Sequence, residues 1–193
     1  ELDTARLRTS RDRMVVENPA EAAARVLPYA RMSEFAYVVT PGCDDRTNPE
    51  KVSQERKSQL LNALTPAWSL EPGLGLKDGC EDKSTGLMYH VWYSREGNRT
   101  RVIIAFRGTS ESLDWIRGNL WWGTRFLYQE TQYEQADAAA TRVAQFYREK
   151  AIANHEDPPV IQATGHSLGG GLAQRALYSQ PRDIQQAIVF DPS

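Results

Sequence analysis

The fold of this chain is decided by one stretch of its sequence, Ala163-Thr164-Gly165-His166-Ser167-Leu168-Gly169-Gly170-Gly171-Leu172-Ala173. The short apolar run 160–162 precedes it, and a helix-compatible run follows it to about residue 178. This pattern predicts a β-strand, a sharp turn and an α-helix, with the G-x-S-x-G sequence at the turn. The positions two before and two after the serine must be small, because two backbone segments cross closely in such a turn.

The serine at this turn is a candidate catalytic group. A serine held between a strand and a helix takes strained backbone angles and projects its hydroxyl clear of the sheet. The backbone N–H of Leu168, in the first turn of the new helix, can then face an oxyanion that forms at Ser167. These features are typical of the nucleophile elbow of α/β-hydrolases, so we predict that Ser167 is a nucleophile and Leu168 an oxyanion donor. A plain structural turn is the alternative, and the apolar strand and the small-residue helix face around the turn argue against it.

The rest of the chain alternates helical and strand patterns. Asn18-Pro19-Ala20-Glu21 predicts a helix start, with the asparagine as cap and the glutamate closing a capping box. Two strand patterns separated by the turn residues 95–98 predict a hairpin whose second strand is buried on both faces. Helices are predicted over 18–37, 53–64 and 130–153, and strands over 87–93, 101–106, 160–162 and 186–190. We therefore predict an α/β fold, a three-layer α/β-hydrolase sandwich with a mostly parallel sheet, an N-terminal helical addition and a missing C-terminal part.

Size, charge and composition exclude several classes of protein. The 193 residues suit one domain with a substantial core. A formal charge of −2 gives no electrostatic footprint for a nucleic-acid partner. The longest apolar stretch, Val102–Phe106, is far shorter than a membrane span. No cluster of His, Cys or carboxylate residues has the spacing of metal ligands, so neither a metal nor an organic cofactor is implied. The two cysteines, Cys43 and Cys80, are compatible with one disulfide or with two thiols.

A second motif carries a family resemblance. Phe106-Arg107-Gly108-Thr109-Ser110 ends a buried strand, and the short aromatic segment 113–122 follows it. F-R-G-T, then a segment containing D-W-I, then G-H-S-L-G-G about sixty positions later resembles the class 3 (fungal-type) lipases. The resemblance is specific over 101–122 and 160–191 and does not extend to 1–85. We therefore expect residues 1–85 to form a helical and irregular addition packed on the core, and residues 86–193 to form the N-terminal portion of the lipase core.

The resemblance implies a second oxyanion donor and a lid. In class 3 lipases the Ser or Thr after R-G supplies that donor, which here falls on Thr109. The helix that follows is the lid, and Ser112–Trp122 matches its position. Three tryptophans on a short segment suit a lipid interface, because each has an apolar ring and a polar N–H. Burial of these tryptophans in the core is the alternative. The lid-facing set is Trp115, Trp121 and Trp122.

The sequence does not by itself complete a catalytic triad. α/β-Hydrolases place the acid and then the histidine after the serine. His90 and His155 precede Ser167, and His166 adjoins it, so we expect the catalytic histidine after residue 193. Asp191, at the end of the last strand pattern, resembles the acid in the L-D-P-A stretch of pancreatic-type lipases. Class 3 lipases usually have Gly there and take the acid from a later strand, and a turn-capping Asp is the alternative role.

These observations predict a serine hydrolase that cleaves carboxylic esters of lipids. The enzyme would be a triacylglycerol lipase or a phospholipase that works through an acyl-enzyme on Ser167, with a lipid or a membrane surface as its substrate. An acyltransferase or thioesterase on the same elbow is one alternative, and a non-catalytic binding module is another. We also expect further polypeptide, in the same protein or a second chain, to pair with the strand at 187–190, because an open apolar strand edge is a sticky surface.

Overall fold

The structure is a computed structural model, and it describes residues 18–37, 54–65, 67–74, 86–108 and 121–192. For residues 121–131 it describes the backbone alone. Thr109, residues 112–120 of the expected lid and the two cysteines therefore lie outside the described residues, as do the side chains of Trp121 and Trp122.

Within the described residues five strands form one sheet, in which the spatial order follows the order along the chain. The pairs β1–β2 and β2–β3 are antiparallel, and the pairs β3–β4 and β4–β5 are parallel. The strands are β1 (Ser69–Leu70), β2 (Tyr89–Glu96), β3 (Arg99–Phe106), β4 (Asp157–His166) and β5 (Ile184–Phe190).

The described sheet is mixed, whereas the sequence predicts a mostly parallel one. The hairpin that the sequence predicts is confirmed as the antiparallel pair β2–β3, and β1 adds the second antiparallel pair. Gly97 and Asn98 join β2 to β3, and such a short turn can join antiparallel neighbours only. Gly97 has φ of +63°, a left-handed conformation that glycine adopts without steric cost. The two-residue strand β1 is not predicted, because its pairing with Tyr93 and Trp92 is a tertiary contact that no local pattern records.

Four helices cover the two faces of the sheet. Asn18 caps α1 by accepting a hydrogen bond from the N–H of Ala20 at 3.0 Å, as the sequence predicts. Helix α3 begins nine residues before its predicted start, so the backbone of Trp121 and Trp122, the last two residues of the expected lid, is helical. None of the helices in the described ranges combines the length and the apolar character needed to cross a membrane. The helices are α1 (Pro19–Phe35), α2 (Gln54–Leu64), α3 (Trp121–Ala153) and α4 (Leu168–Ser179).

Strand β3 separates two apolar cores, which confirms that it is buried on both faces. Its residues Val102, Ile104 and Phe106 pack against α3 and α4, and the alternate residues Ile103 and Ala105 pack against α1 and α2. The result is a three-layer sandwich with α1 and α2 on one side and α3 and α4 on the other. The α3–α4 core includes Ala136, Ala140, Val143, Tyr147, Leu172, Ala173 and Ala176, and the α1–α2 core includes Tyr29, Met32, Phe35, Leu60, Leu64 and Trp92.

Polar side chains hold α1 against β4. The hydroxyl of Tyr29 donates to Gln162 Oε1 at 2.6 Å, and the Ser33 and Thr164 hydroxyls lie 3.0 Å apart. Four helical residues rise about 6 Å and two strand residues about 6.6 Å, so α1 and β4 stay in step when they run side by side. The same spacing continues to Tyr37, four residues after Ser33, and to His166, two residues after Thr164. We call the contacts of residues 29, 33 and 37 with residues 162, 164 and 166 the α1–β4 ladder.

Candidate active site

Ser167 lies between the last residue of β4 and the first residue of α4. Its backbone angles are φ 53° and ψ −128°, whereas an ordinary N-cap serine lies in the β region. A residue other than glycine with positive φ is strained, at a cost on the order of 1–3 kcal/mol that the surrounding structure must offset. The N–H of Ser167 donates to the carbonyl oxygen of Phe190 at 3.0 Å, which fixes the turn against the end of β5.

Glycines allow three backbone segments to meet at this turn. A Cβ atom on Gly165 would overlap the carbonyl oxygen of Gly169 and come within 2.8 Å of the nitrogen of Gly170. A Cβ atom on Gly169 would come within 2.8 Å of the carbonyl carbon of Arg107. Since backbone atoms cannot move aside as a flexible side chain can, neither position accommodates a larger residue.

The end of β3 lies against the turn that carries Ser167. A Cβ atom on Gly108 would come within 2.6 Å of the carbonyl oxygen of His166 and 3.3 Å of the Ser167 Cβ atom. Thr109, the next residue, is the expected second oxyanion donor and lies outside the described residues. Leu168 is buried and opens α4, so its N–H belongs to the first helical turn, where no intrahelical acceptor exists. The structure thus brings Leu168 and Gly108 to the two sides of Ser167.

Tyr37 is a residue of this site that the sequence does not single out. It follows α1 and is half-buried, and its hydroxyl lies 3.1 Å from His166 Nδ1 and donates to the His166 carbonyl oxygen at 3.3 Å. Burial raises the pKa of Tyr37, while the adjacent Gly108 backbone and the charge of Arg107 oppose that rise. A signal does exist in the sequence, because Tyr29, Ser33 and Tyr37 recur every four residues, a spacing that places them on one face of the helix predicted over 18–37.

The three histidines occupy different positions. His155 lies in the turn before β4, and a ten-residue strand separates it from Ser167 by about 30 Å. His90 is buried against Phe35, with ring centroids 5.1 Å apart, and desolvation together with the charges of Lys57 and Arg107 lowers its pKa to about 4. The His166 ring contacts Tyr37.

Asp191 reaches the same edge of the sheet as Ser167. His166 pairs with Phe190 across the parallel strands, so Asp191 follows β5 at the level where Ser167 follows β4. Asp191 is exposed and has φ of 43°, a conformation that Asp and Asn tolerate better than most residues. Parallel strands bring their functional side chains together at their carboxyl ends, and Asp191 and Ser167 share that edge.

Replacing Gly165 with alanine should destabilise the protein severely. The added methyl group would overlap backbone atoms of Gly169 and Gly170, so we expect a loss of about 3 kcal/mol or more in the free energy of unfolding. The matched control is Gly73→Ala, whose methyl group would meet Glu71 Oε1 at an ordinary 3.7 Å. Urea denaturation of both variants measures the difference. A Gly165→Ala protein as stable as Gly73→Ala would contradict the close crossing.

The chain matches a known family and the fold of solved lipases. A family model described as phospholipase-like, the Tle-like phospholipase domain, matches residues 29–191. Lipase II from Rhizopus niveus matches with a TM-score of 0.53 and 18% identity, over 90% of this chain and 63% of that chain. The lipase from Rhizopus microsporus var. chinensis matches with a TM-score of 0.50 and 16% identity, over 91% of this chain and 58% of that chain. No curated protein matches the chain.

These matches agree with the layers and the site described above. The similarity to the fungal lipases shows an α/β-hydrolase, lipase-like fold, and this chain spans less than two thirds of their length. The family match includes α1 from Tyr29 onward as well as the nucleophile turn and Asp191. Because it extends over most of the sequence, the chain belongs to the family of Tle-like phospholipase domains.

Proposed function

We propose that this chain is part of a serine hydrolase that cleaves the carboxylic esters of phospholipids through an acyl-enzyme on Ser167. The family match supports a lipid ester as the substrate, and its description favours phospholipids over triacylglycerols. Thr109 and Leu168 are the proposed oxyanion donors, as in the class 3 lipases that the sequence resembles.

The observation that carries this proposal is the conformation of Ser167. A strained serine at the carboxyl end of a buried parallel strand, followed at once by a helix, has little structural advantage over a glycine in the same place. Its use is chemical, because the turn presents the serine side chain beside the N–H groups of the first helical turn. An oxyanion formed at Ser167 would be stabilised by those preorganised N–H groups.

The proposed reaction is acyl transfer in two steps. Ser167 Oγ attacks the ester carbonyl carbon, its proton passes to a general base, and the carbonyl oxygen becomes an oxyanion held by the N–H donors. The bond to the alcohol then breaks, and the base returns the proton to the leaving oxygen. A water molecule, activated by the same base, attacks the acyl-enzyme, and the fatty acid leaves as Ser167 regains its proton.

We further propose that the general base comes from polypeptide outside residues 1–193. A general base must come within hydrogen-bond reach of the nucleophile. His155 lies at the opposite end of β4, and His90 is enclosed in the core with its pKa lowered to about 4. The His166 ring is engaged with the Tyr37 hydroxyl. A histidine on a further element of the sheet would meet the requirement.

The edge of β5 is the proposed attachment site for that polypeptide. Within the described residues β5 is the last strand of the sheet, and its side chains Ile188 and Phe190 are half-buried. A strand that pairs with this edge would satisfy its exposed N–H and C=O groups and cover these side chains. The polypeptide would belong to the same protein or to a second chain.

Replacing Ser167 with alanine in the full-length protein should lower the rate of ester hydrolysis by roughly 10³-fold or more, without loss of the fold. Fatty-acid release from phosphatidylcholine and from triolein measures the activity and separates a phospholipase from a triacylglycerol lipase. Ser179→Ala is the matched control, because Ser179 lies at the other end of α4 and bonds to Asp137. A fluorophosphonate probe should label the Ser167 peptide. Hydrolysis by Ser167→Ala near the wild-type rate would refute the assignment.

Replacing Asp191 with asparagine tests whether Asp191 is the catalytic acid. Asparagine keeps the positive φ and the turn but removes the charge. If Asp191 orients the catalytic histidine, kcat should fall by about 10⁴-fold, as for the loss of a triad carboxylate. Unchanged turnover would assign Asp191 to the turn alone and place the acid elsewhere.

The segment 112–122 is our proposed lid, and its tryptophans should respond to a lipid surface. Trp68 and Trp92 are 7% and 0% exposed, so their emission should stay constant when lipid is added. Vesicles of phosphatidylcholine with phosphatidylglycerol should therefore shift the emission of Trp115, Trp121 and Trp122 to shorter wavelength. Replacing these three residues with phenylalanine should remove the shift. Emission that is the same with and without vesicles would contradict the lid.

A further inference from the structure

We propose that Tyr37 is a positioning residue for the nucleophile. Its hydroxyl sets the distance between the turn that carries Ser167 and Gly108, two residues after the end of β3. This inference rests on the proposed function, because Gly108 leads directly into the expected oxyanion donor Thr109. Tyr37 itself would contact neither the substrate nor the reacting atoms.

The hydroxyl of Tyr37 contacts both the turn that carries Ser167 and the end of the neighbouring strand at Gly108. It donates a hydrogen bond at 3.3 Å to the carbonyl oxygen of His166, the residue before Ser167. It also packs closely against Gly108, the residue before Thr109, where an added Cβ atom would overlap the hydroxyl oxygen. The last residue pair between the parallel strands β3 and β4 is Phe106 with Gly165. Tyr37 therefore connects the two strands beyond the end of their backbone hydrogen bonds.

The capacity of the hydroxyl matches its surroundings. A tyrosine hydroxyl has one proton to donate and can accept two hydrogen bonds. The proton goes to the His166 carbonyl oxygen, and His166 Nδ1 at 3.1 Å fills one acceptor position when it carries a proton. Phenylalanine at this position would remove the hydrogen bond to the His166 carbonyl oxygen and the packing contact with Gly108.

The α1–β4 ladder fixes where this hydroxyl sits. The ladder contacts of Tyr29 and Ser33 hold α1 in register with β4, eight and four residues before Tyr37. The Thr164 hydroxyl also donates to the carbonyl oxygen of Ile188 at 2.6 Å, so the middle contact extends to β5. The packing of the whole helix α1 against the sheet therefore places Tyr37 at the end of β4.

Positioning of this kind affects the transition state more than the bound substrate. Oxyanion donors act when they lie 2.7–3.1 Å from the developing charge, and a misplacement of about 1 Å costs on the order of 10²-fold in rate. The ester carbonyl of the bound substrate carries little charge, so its binding depends less on that distance. Loss of the Tyr37 hydroxyl should therefore lower kcat and leave KM nearly unchanged.

The experiment compares Tyr37→Phe with Tyr29→Phe in the full-length protein. Both substitutions keep the ring and remove a hydroxyl of the same ladder, but Tyr29 bonds to Gln162 and Arg101, far from Ser167 along β4. Tyr37→Phe should lower kcat for phosphatidylcholine hydrolysis by about 10- to 100-fold, with KM within about twofold. Tyr29→Phe should lower the thermal midpoint and leave kcat unchanged, because the hydrogen bond between Ser33 and Thr164 still holds α1 in register with β4.

Several outcomes would overturn the inference. One is a Tyr37→Phe enzyme with unchanged kcat, and another is an equal loss of kcat in both variants. A raised KM at constant kcat would make Tyr37 a substrate contact instead.

A second measurement separates this inference from the proposed function. Hydrogen exchange of the Gly108 amide reports the contact with Tyr37 whether or not the protein hydrolyses lipids. Exchange at Gly108 should quicken in Tyr37→Phe and stay as in the wild type in Tyr29→Phe. If the wild type hydrolyses no lipid ester and its Ser167 is not labelled, the proposed function fails. If Gly108 exchanges equally in the wild type and in Tyr37→Phe, the positioning contact fails.

Discussion

Three backbone segments meet at the end of β4 with no space for side chains between them, and the rest of the described structure depends on that meeting. Gly165 lies against Gly169 across the turn, and Gly169 lies against the end of β3 at Arg107. This contact ties the nucleophile strand, its helix and the neighbouring strand into one unit. The positive φ of Ser167 is sustained by that unit, because a strained residue persists only where its surroundings over-determine it.

The α1–β4 ladder adds buried hydrogen bonds to the apolar packing between α1 and the sheet. Tyr29, Gln162 and Gln186 form a chain in which Gln162 Nε2 donates to Gln186 Oε1 at 2.8 Å. Arg101 joins it by donating to the Tyr29 hydroxyl at 3.1 Å. Buried polar groups are costly unless they are hydrogen-bonded, and a shift of α1 by one residue would break several of these bonds together. The ladder therefore gives α1 a defined register where apolar contacts alone would allow sliding.

The face of the sheet under α1 also explains why His90 is not a catalytic base. Phe35 packs edge-on against both His90 and Trp92, with ring centroids 5.1 Å apart in each pair. A proton on His90 would be poorly solvated there and close to the positive charges of Lys57 and Arg107, which is why its pKa falls to about 4. The imidazole is therefore neutral near pH 7. It serves as an aromatic core residue.

The sequence alone determined the strand, turn and helix around Ser167, most of the other helices and strands, and the two-faced burial of β3. These features arise from local patterns: glycine spacing around Ser167, the Asn18 cap, and the apolar run of residues 102–106 between turn residues. The tertiary structure decided the antiparallel pairing of the short strand β1 and the place of Tyr37. A two-residue strand has no pattern of its own, and the role of Tyr37 depends on a helix meeting a strand 129 residues away in the sequence. Tertiary packing sets such pairings, and the local sequence pattern carries no information about contacts between distant residues.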